Sequence, residues 1–294
     1  MKEKIIYALG FFDGVHLGHQ ELLAACRYLA DHNDCQAGAI TFASHPDGLV
    51  SGTAPALLNT NEDRTKLLFA YGMDVVVELP FNKELMTTHW ATFLTQLVGD
   101  DAIGFVCGDD FRCGAGGLGT PKKLAAFCEK RELVYSVVSQ QTLDDIRVSS
   151  TYIRSLLEQG DIGQVNRFLG HPHIFTGKVV HGKGLGRTIG IPTANLEVPE
   201  GVLLPRCGVY ACSAIVDNET YLAVTNIGNR PTVDGNGITI EPWLLDFEGD
   251  LYGKEVTLAF HAYLRPEKKF SDLEELKAEI LENAAQTRKL LEKI

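Results

Sequence analysis

The run Gly10-Phe11-Phe12-Asp13-Gly14-Val15-His16-Leu17-Gly18-His19 carries two histidines three residues apart among small, turn-forming residues. Such a pair could hold a metal, serve only the fold, or donate hydrogen bonds to phosphate oxygens. Its setting favours the third use. An apolar run, Ile5 to Leu9, precedes it and a helical pattern begins around His19, so backbone N–H groups and the helix dipole can face an anion. Transfer of a nucleotidyl group suits this arrangement. It needs no protein nucleophile, because an acceptor phosphate attacks in line while the protein neutralises the growing charge.

A second cluster, Arg147-Val148-Ser149-Ser150-Thr151-Tyr152-Ile153-Arg154, places hydroxyls at a helix start and an arginine one turn inside it. Taken alone, it reads equally well as an N-cap with a surface arginine. In Val180-His181-Gly182-Lys183-Gly184-Leu185-Gly186-Arg187 three glycines recur at every second position. They would let backbone N–H groups approach a polyphosphate closely, although the run is not a Walker A loop and an ordinary turn is the alternative. It leads into Ile189-Gly190-Ile191-Pro192-Thr193-Ala194-Asn195-Leu196. In an extended segment Thr193 and Asn195 point to one side, where a hydroxyl and an amide oxygen could meet Mg²⁺.

The elements that must position these groups follow from periodicity. Ile5 to Leu9, Ala37 to Phe42, Val75 to Leu79, Ile103 to Cys107 and Leu133 to Val138 are strand candidates separated by helical segments. The alternation predicts a parallel sheet in an α/β, Rossmann-like N-terminal domain, with ligands at the carboxyl ends of its strands. Helices are expected over Ser149 to Glu158 and Asp161 to Leu169, before Gly170-His171-Pro172. A domain boundary placed there gives domains of 1–170 and 171–294. Beyond it, Phe175 to Val180, Val209 to Val216, Tyr221 to Ile227, Ile238 to Leu245 and Val256 to Leu264 predict a small antiparallel β-barrel. A terminal helix starts at Ser271, with Ser271 and Glu274 as a capping box. Its stripe of Leu273, Leu276, Ile280 and Ala284 is expected to pack on the barrel.

Composition bounds the function. A net charge of −11 without a Lys/Arg run argues against a nucleic-acid partner. No apolar stretch approaches the roughly 20 residues of a membrane span, and no signal-peptide core is seen, so the expectation is a cytoplasmic protein without membrane partners. The seven cysteines lack zinc-finger or Cys-x-x-Cys spacing, and most of them read as buried small apolar residues.

Together, the His-x-Gly-His run and the distant Ser-Ser-Thr-x-Ile-Arg resemble the nucleotidylyltransferase superfamily, specifically its bacterial FAD synthetase branch. Thr41-Phe42-Ala43-Ser44-His45-Pro46 and Cys107-Gly108-Asp109-Asp110-Phe111-Arg112 resemble two further segments of that branch, in the same order. The resemblance implies that His16 and His19 polarise the ATP phosphates, within a nucleotide site formed by Gly10, Phe11, Asp13, Gly14 and Gly18. It implies that Arg147, Ser149, Ser150, Thr151 and Arg154 contact the triphosphate, and that His45, Asp110 and Phe111 lie by FMN. Ser44 and Cys113 depart from the family pattern, which has proline and phenylalanine there.

The downstream run resembles the riboflavin kinase family in its Gly-rich segment, Pro-Thr-Ala-Asn and Cys207-Gly208-Val209-Tyr210. That resemblance implies ATP binding by Gly182, Lys183, Gly184, Gly186 and Arg187, Mg²⁺ held by Thr193 and Asn195, and Glu241 as general base. It also puts Arg265 by the flavin or its phosphate. Pro242-Trp243 departs from the family, and the proline predicts an edge or bulged strand. The paired modules imply an enzyme that uses ATP to convert riboflavin to FMN and FMN to FAD. The other reading is a regulatory paralogue that binds flavin or nucleotide and has lost one or both activities.

Overall fold

The computed structural model describes residues 4–99, 101–182, 186, 190–232 and 235–292. The chain divides into two units, Met1–Leu57 with Asn61–Ser150, and Leu58–Thr60 with Thr151–Ile294.

In the first unit, β-branched and apolar runs form five parallel strands: β1 (Ile5–Leu9), β2 (Gln36–Phe42), β3 (Val75–Leu79), β4 (Ala102–Gly108) and β5 (Val134–Val138). Their order is β3-β2-β1-β4-β5. The strand order reverses between β1 and β4, and such a switch point opens a crevice at the carboxyl ends of the strands. Helix α1 (Leu17–His32) buries Leu22, Leu23, Cys26 and Ala30 against one face of the sheet. It begins two residues earlier than the sequence pattern implies, because His16 serves as its N-cap.

The remaining helices of this unit are α2 (Asp47–Val50), α3 (Asn61–Ala70), α4 (Lys83–Thr87), α5 (Trp90–Gly99) and α6 (Pro121–Glu129). Phe93 and Leu94 of α5 join Leu124, Phe127 and Cys128 of α6 in the core on the sheet's other face. A short ribbon, β6 (Thr142–Leu143) and β7 (Ile146–Arg147), leads to α7 (Ser150–Gln159).

In the second unit, α8 (Ile162–Leu169) starts at an Asp161 cap and stops at Gly170, whose φ of 76° makes a left-handed C-cap. Six antiparallel strands then close a barrel in the order β10-β11-β12-β9-β8-β13. They are β8 (His173–Val180), β9 (Asn195–Leu196), β10 (Gly208–Val216), β11 (Glu219–Thr232), β12 (Gly235–Leu244) and β13 (Glu255–Arg265). The two-residue strand β9 has too little periodicity to stand out in the sequence.

Pro242 sits neither on a free edge nor at a bulge. It pairs in register with Thr225, while its carbonyl accepts a hydrogen bond from the Ala194 N–H at 2.9 Å on the other side. A residue's N–H and C=O point the same way in an antiparallel strand, so the missing donor faces only the short β9 side. The β11 ladder is intact.

The terminal helix α9 (Leu273–Leu291) is capped by Asp272, one residue later than the sequence pattern implies. Asp272 accepts from the Glu275 N–H, and Glu275 accepts from the Ser271 N–H and hydroxyl. Its buried face consists of Asn283, Ala284, Thr287 and Leu291, whereas Leu273, Leu276 and Ile280 line a cavity. The leading half of the apolar stripe therefore serves a cavity rather than the barrel core.

Candidate functional sites

In the first unit the loop after β1 is strained. Phe12 and Val15 have φ of 59° and 40°, and a β-branched residue there is a backbone outlier that persists only when its surroundings hold it. The holding contacts are specific: the Thr41 hydroxyl donates to Phe11 O at 2.8 Å, the Ser150 hydroxyl to Asp13 O at 2.9 Å, and the Gly10 N–H to Ile40 O at 3.2 Å. Gly14 supplies a φ of 81° within the same turn.

The turn delivers His16 and His19 side by side. Their rings stack with centroids 3.6 Å apart and planes within 10°. His16 Nδ1 accepts from the His19 N–H at 3.3 Å, so in its neutral form the His16 proton resides on Nε2. His19 Nδ1 is buried without a hydrogen-bond partner. Burial first, then the adjacent His16 and Arg64, holds the His19 imidazole well below the ordinary histidine pKa and hence neutral. Among the described residues no group of three His, Cys, Asp or Glu side chains could hold a metal, which leaves the metal-pair reading without a third ligand.

Beside this turn lies an apolar cavity of about 200 Å³, lined by Leu9, Ile40, Phe42, Phe81, Phe93 and Phe111 at the carboxyl ends of β1, β2 and β4. Gly10 and Cys113 also border it. Gly114, at φ 69°, closes it against α5, where a Cβ would stand 2.5 Å from the Trp90 backbone. His45 meets the Phe11 ring edge-on at 4.7 Å. Asp110 and Arg147, both exposed, form an ion pair at 2.6 Å. Ser149 and Ser150 stand at the head of α7, with Thr151 and Arg154 in its first turns. Sequence reasoning passed over Phe81, Phe93 and Arg64, because each looks like an ordinary helix or loop residue until the fold turns it towards the strand ends.

In the second unit a cavity of about 360 Å³ brings together Gly186, Thr193, Asn195, Glu241 and Arg265. Glu241 stands opposite Asn226 in the β11–β12 ladder, and both face this space with Trp243. Period-two alternation sends Ile240 and Leu244 to the core and Glu241 and Trp243 to the cavity. The Thr193 and Asn195 side chains pack near glycines. A Cβ on Gly182 would lie 2.2 Å from Asn195 Nδ2, and one on Gly186 would lie 3.2 Å from Thr193 Oγ1.

A smaller cavity, of about 100 Å³, shares Thr193 and Asn195 and continues past Gly182 to Phe247, Leu251 and Tyr252. Arg265 is tied into the terminal helix by Asn283 at 3.1 Å and Glu279 at 2.9 Å. Its charge is thus already paired. Glu267, Lys268 and Phe270, from the run Leu264 to Phe270 that resembles a riboflavin kinase segment near the flavin, also line the larger cavity. Lys183, Gly184 and Arg187 lie outside the described residues.

Comparison with known proteins matches residues 1–152 to the family described as FAD synthetase and residues 169–291 to riboflavin kinase. The bifunctional riboflavin kinase/FMN adenylyltransferase of Listeria monocytogenes is 34% identical over 98% of this chain and 93% of its own length. The protein of the same name from Pseudomonas fluorescens is 36% identical, over 97% of this chain and 92% of its own. A solved structure described as a macrolide-efflux protein from Streptococcus pneumoniae is 26% identical, with a TM-score of 0.87 over 98% of this chain and 95% of that one. Among the described residues no helix is long and apolar enough to cross a membrane.

Proposed function

The chain belongs to the bifunctional riboflavin kinase/FMN adenylyltransferase family, and from that premise we propose how its two reactions are divided between the sites described above. The enzyme is a transferase that uses ATP to phosphorylate riboflavin to FMN and to adenylylate FMN to FAD. Kinase chemistry belongs to the barrel cavity and adenylyl transfer to the β1–β4 switch point. The observation that carries this division is the convergence of Glu241, Thr193 and Asn195 on one cavity in the second unit.

In the barrel, the Glu241 carboxylate takes the proton of the ribityl 5′-hydroxyl as that oxygen bonds to the γ-phosphorus, and the bond from phosphorus to the departing ADP oxygen breaks. The apolar groups Trp243, Phe270 and Leu276 suit the isoalloxazine ring, and the neighbouring cavity beyond Thr193 and Asn195 suits the nucleotide. A hydroxyl, an amide oxygen and a carboxylate fit a hard cation, and Gly182 leaves the space in which the Asn195 amide packs. Thr193 and Asn195 would hold Mg²⁺ together with ATP, and the ion would supply neutralisation of phosphate charge there.

At the first site, an FMN phosphate oxygen attacks the α-phosphorus of ATP, and the bond to pyrophosphate breaks. His16 and His19 donate hydrogen bonds to the phosphates, and the start of α1 adds backbone N–H groups. The apolar cavity beside the turn takes the flavin ring. Incubation of the protein with riboflavin, ATP and Mg²⁺, followed by chromatography, should show FMN rising first and FAD following. Chelation of the metal should stop both products; FMN production that survives complete chelation would remove Mg²⁺ from this reading.

A further inference from the structure

Arg64 is the bulkiest side chain with no solvent exposure in the described residues, yet α3 opens as a polar helix, Asn61-Glu62-Asp63-Arg64. Its Nη2 donates to Phe42 O at 2.7 Å and to Asn61 Oδ1 at 2.9 Å, and its guanidinium carbon lies 4.6 Å above the Phe11 ring. The Glu78 carboxylate stands 3.6 Å away. Nε and Nη1 are buried without a hydrogen-bond partner. Unmade hydrogen bonds on a buried cation destabilise a fold, so packing alone does not account for this side chain.

Its position does. Phe42 ends β2, and Phe11 opens the strained turn that carries Asp13, His16 and His19. We propose that Arg64 is a positioning residue of adenylyl transfer, clamping the ends of β1 and β2 and holding a fixed positive charge behind the phosphate-binding turn. A positive charge supplied from behind the turn leaves its surface free for the nucleotide and requires no rearrangement when the triphosphate arrives. The charged or titratable groups around it are Asp13, Glu78 and His19, with His16 stacked on the last. Arg64 is one of the groups that keep His19 neutral, after burial and His16.

This inference rests on assigning adenylyl transfer to the His16–His19 turn, which His19→Ala tests separately. Arg64→Met and Arg64→Lys in the full chain are compared for FAD formation from FMN, for FMN formation from riboflavin, and for titration of His19 by imidazole NMR. Arg64→Met should lower FAD formation by about 10- to 100-fold, as loss of a supporting residue does, and move the His19 titration to higher pH. Arg64→Lys keeps the charge and loses the fork, so it should leave the titration near the wild-type position while restoring only part of the rate. The kinase reaction, an internal control, should be unchanged in both.

If the Met variant does not fold in its first unit, the Lys variant decides through its rate and its unmoved titration. Wild-type FAD formation in Arg64→Met, or a His19 titration in Arg64→Lys displaced as far as in Arg64→Met, overturns the proposal. Loss of FAD formation in His19→Ala with wild-type rates in Arg64→Met would defeat this inference alone. Retention in His19→Ala would defeat the site assignment beneath it.

Discussion

The imidazoles of His16 and His19 lie stacked at 3.6 Å, and the His19 N–H donates to the ring of His16. Two rings so close cannot both carry charge without strong repulsion, and burial already disfavours a charged His19. The free protein therefore presents a neutral His19, to which a polyanion adds the missing counter-charge. Upon ATP binding the His19 pKa should rise, because the triphosphate favours the imidazolium. NMR titration should show His19 titrating below the ordinary histidine range in the free protein and displaced upward with ATP bound. An unmoved titration would place the phosphates elsewhere.

His173 gives the barrel a pH-dependent stability. It is 1% exposed, its Nδ1 has no hydrogen-bond partner, and burial pulls its pKa from 6.5 to about 3. A base that resists protonation when folded binds the proton more readily unfolded. Its stabilising contribution is therefore whole above pH 6.5 and is lost as the pH falls towards 3. Between pH 7 and pH 5 the loss is about 2 kcal/mol. Calorimetry of the full chain should show the barrel transition moving down over that interval, and His173→Phe should remove most of the shift. An equal shift in the variant would assign it to other groups.

Gly182 is needed for space rather than flexibility. Its missing Cβ is where the Asn195 amide packs, 2.2 Å from the point an alanine would occupy. If Asn195 holds Mg²⁺ as proposed, Gly182→Ala should push it off its line into the shared cavities and lower FMN formation by about 10- to 100-fold. FAD formation from supplied FMN should be unchanged. A wild-type kinase rate in this variant would show that Asn195 has no fixed role.

Much of the fold is legible in the sequence because both kinds of sheet are written in apolar periodicity. The run Ile5 to Leu9 becomes β1 without a residue's change, and Val75 to Leu79 becomes β3 likewise. Two-residue β9 was invisible, since Asn195-Leu196 after Pro192 has no period to read. The consequence of Pro242 was also out of reach, because it depends on which neighbour its N–H side faces.

Site residues fared unevenly for the same reason. Glycine-flanked histidines and a Thr-x-Asn pair signal chemistry through local spacing, and the structure sets His16 beside His19 and brings Thr193, Asn195 and Glu241 to one cavity. Arg64 becomes relevant only through contacts with Phe42 and Phe11, which lie far off along the chain. Two of the departures from family pattern, Cys113 and Trp243, each line a cavity.

The division of labour between the two units is tested most directly by a reciprocal pair of variants in the full chain, Glu241→Gln and His19→Ala. Each is assayed for FMN formed from riboflavin and for FAD formed from supplied FMN. Glu241→Gln should abolish FMN formation and keep FAD formation, and His19→Ala should do the reverse. Loss of both products in either variant, with the protein still folded, would contradict two independent sites.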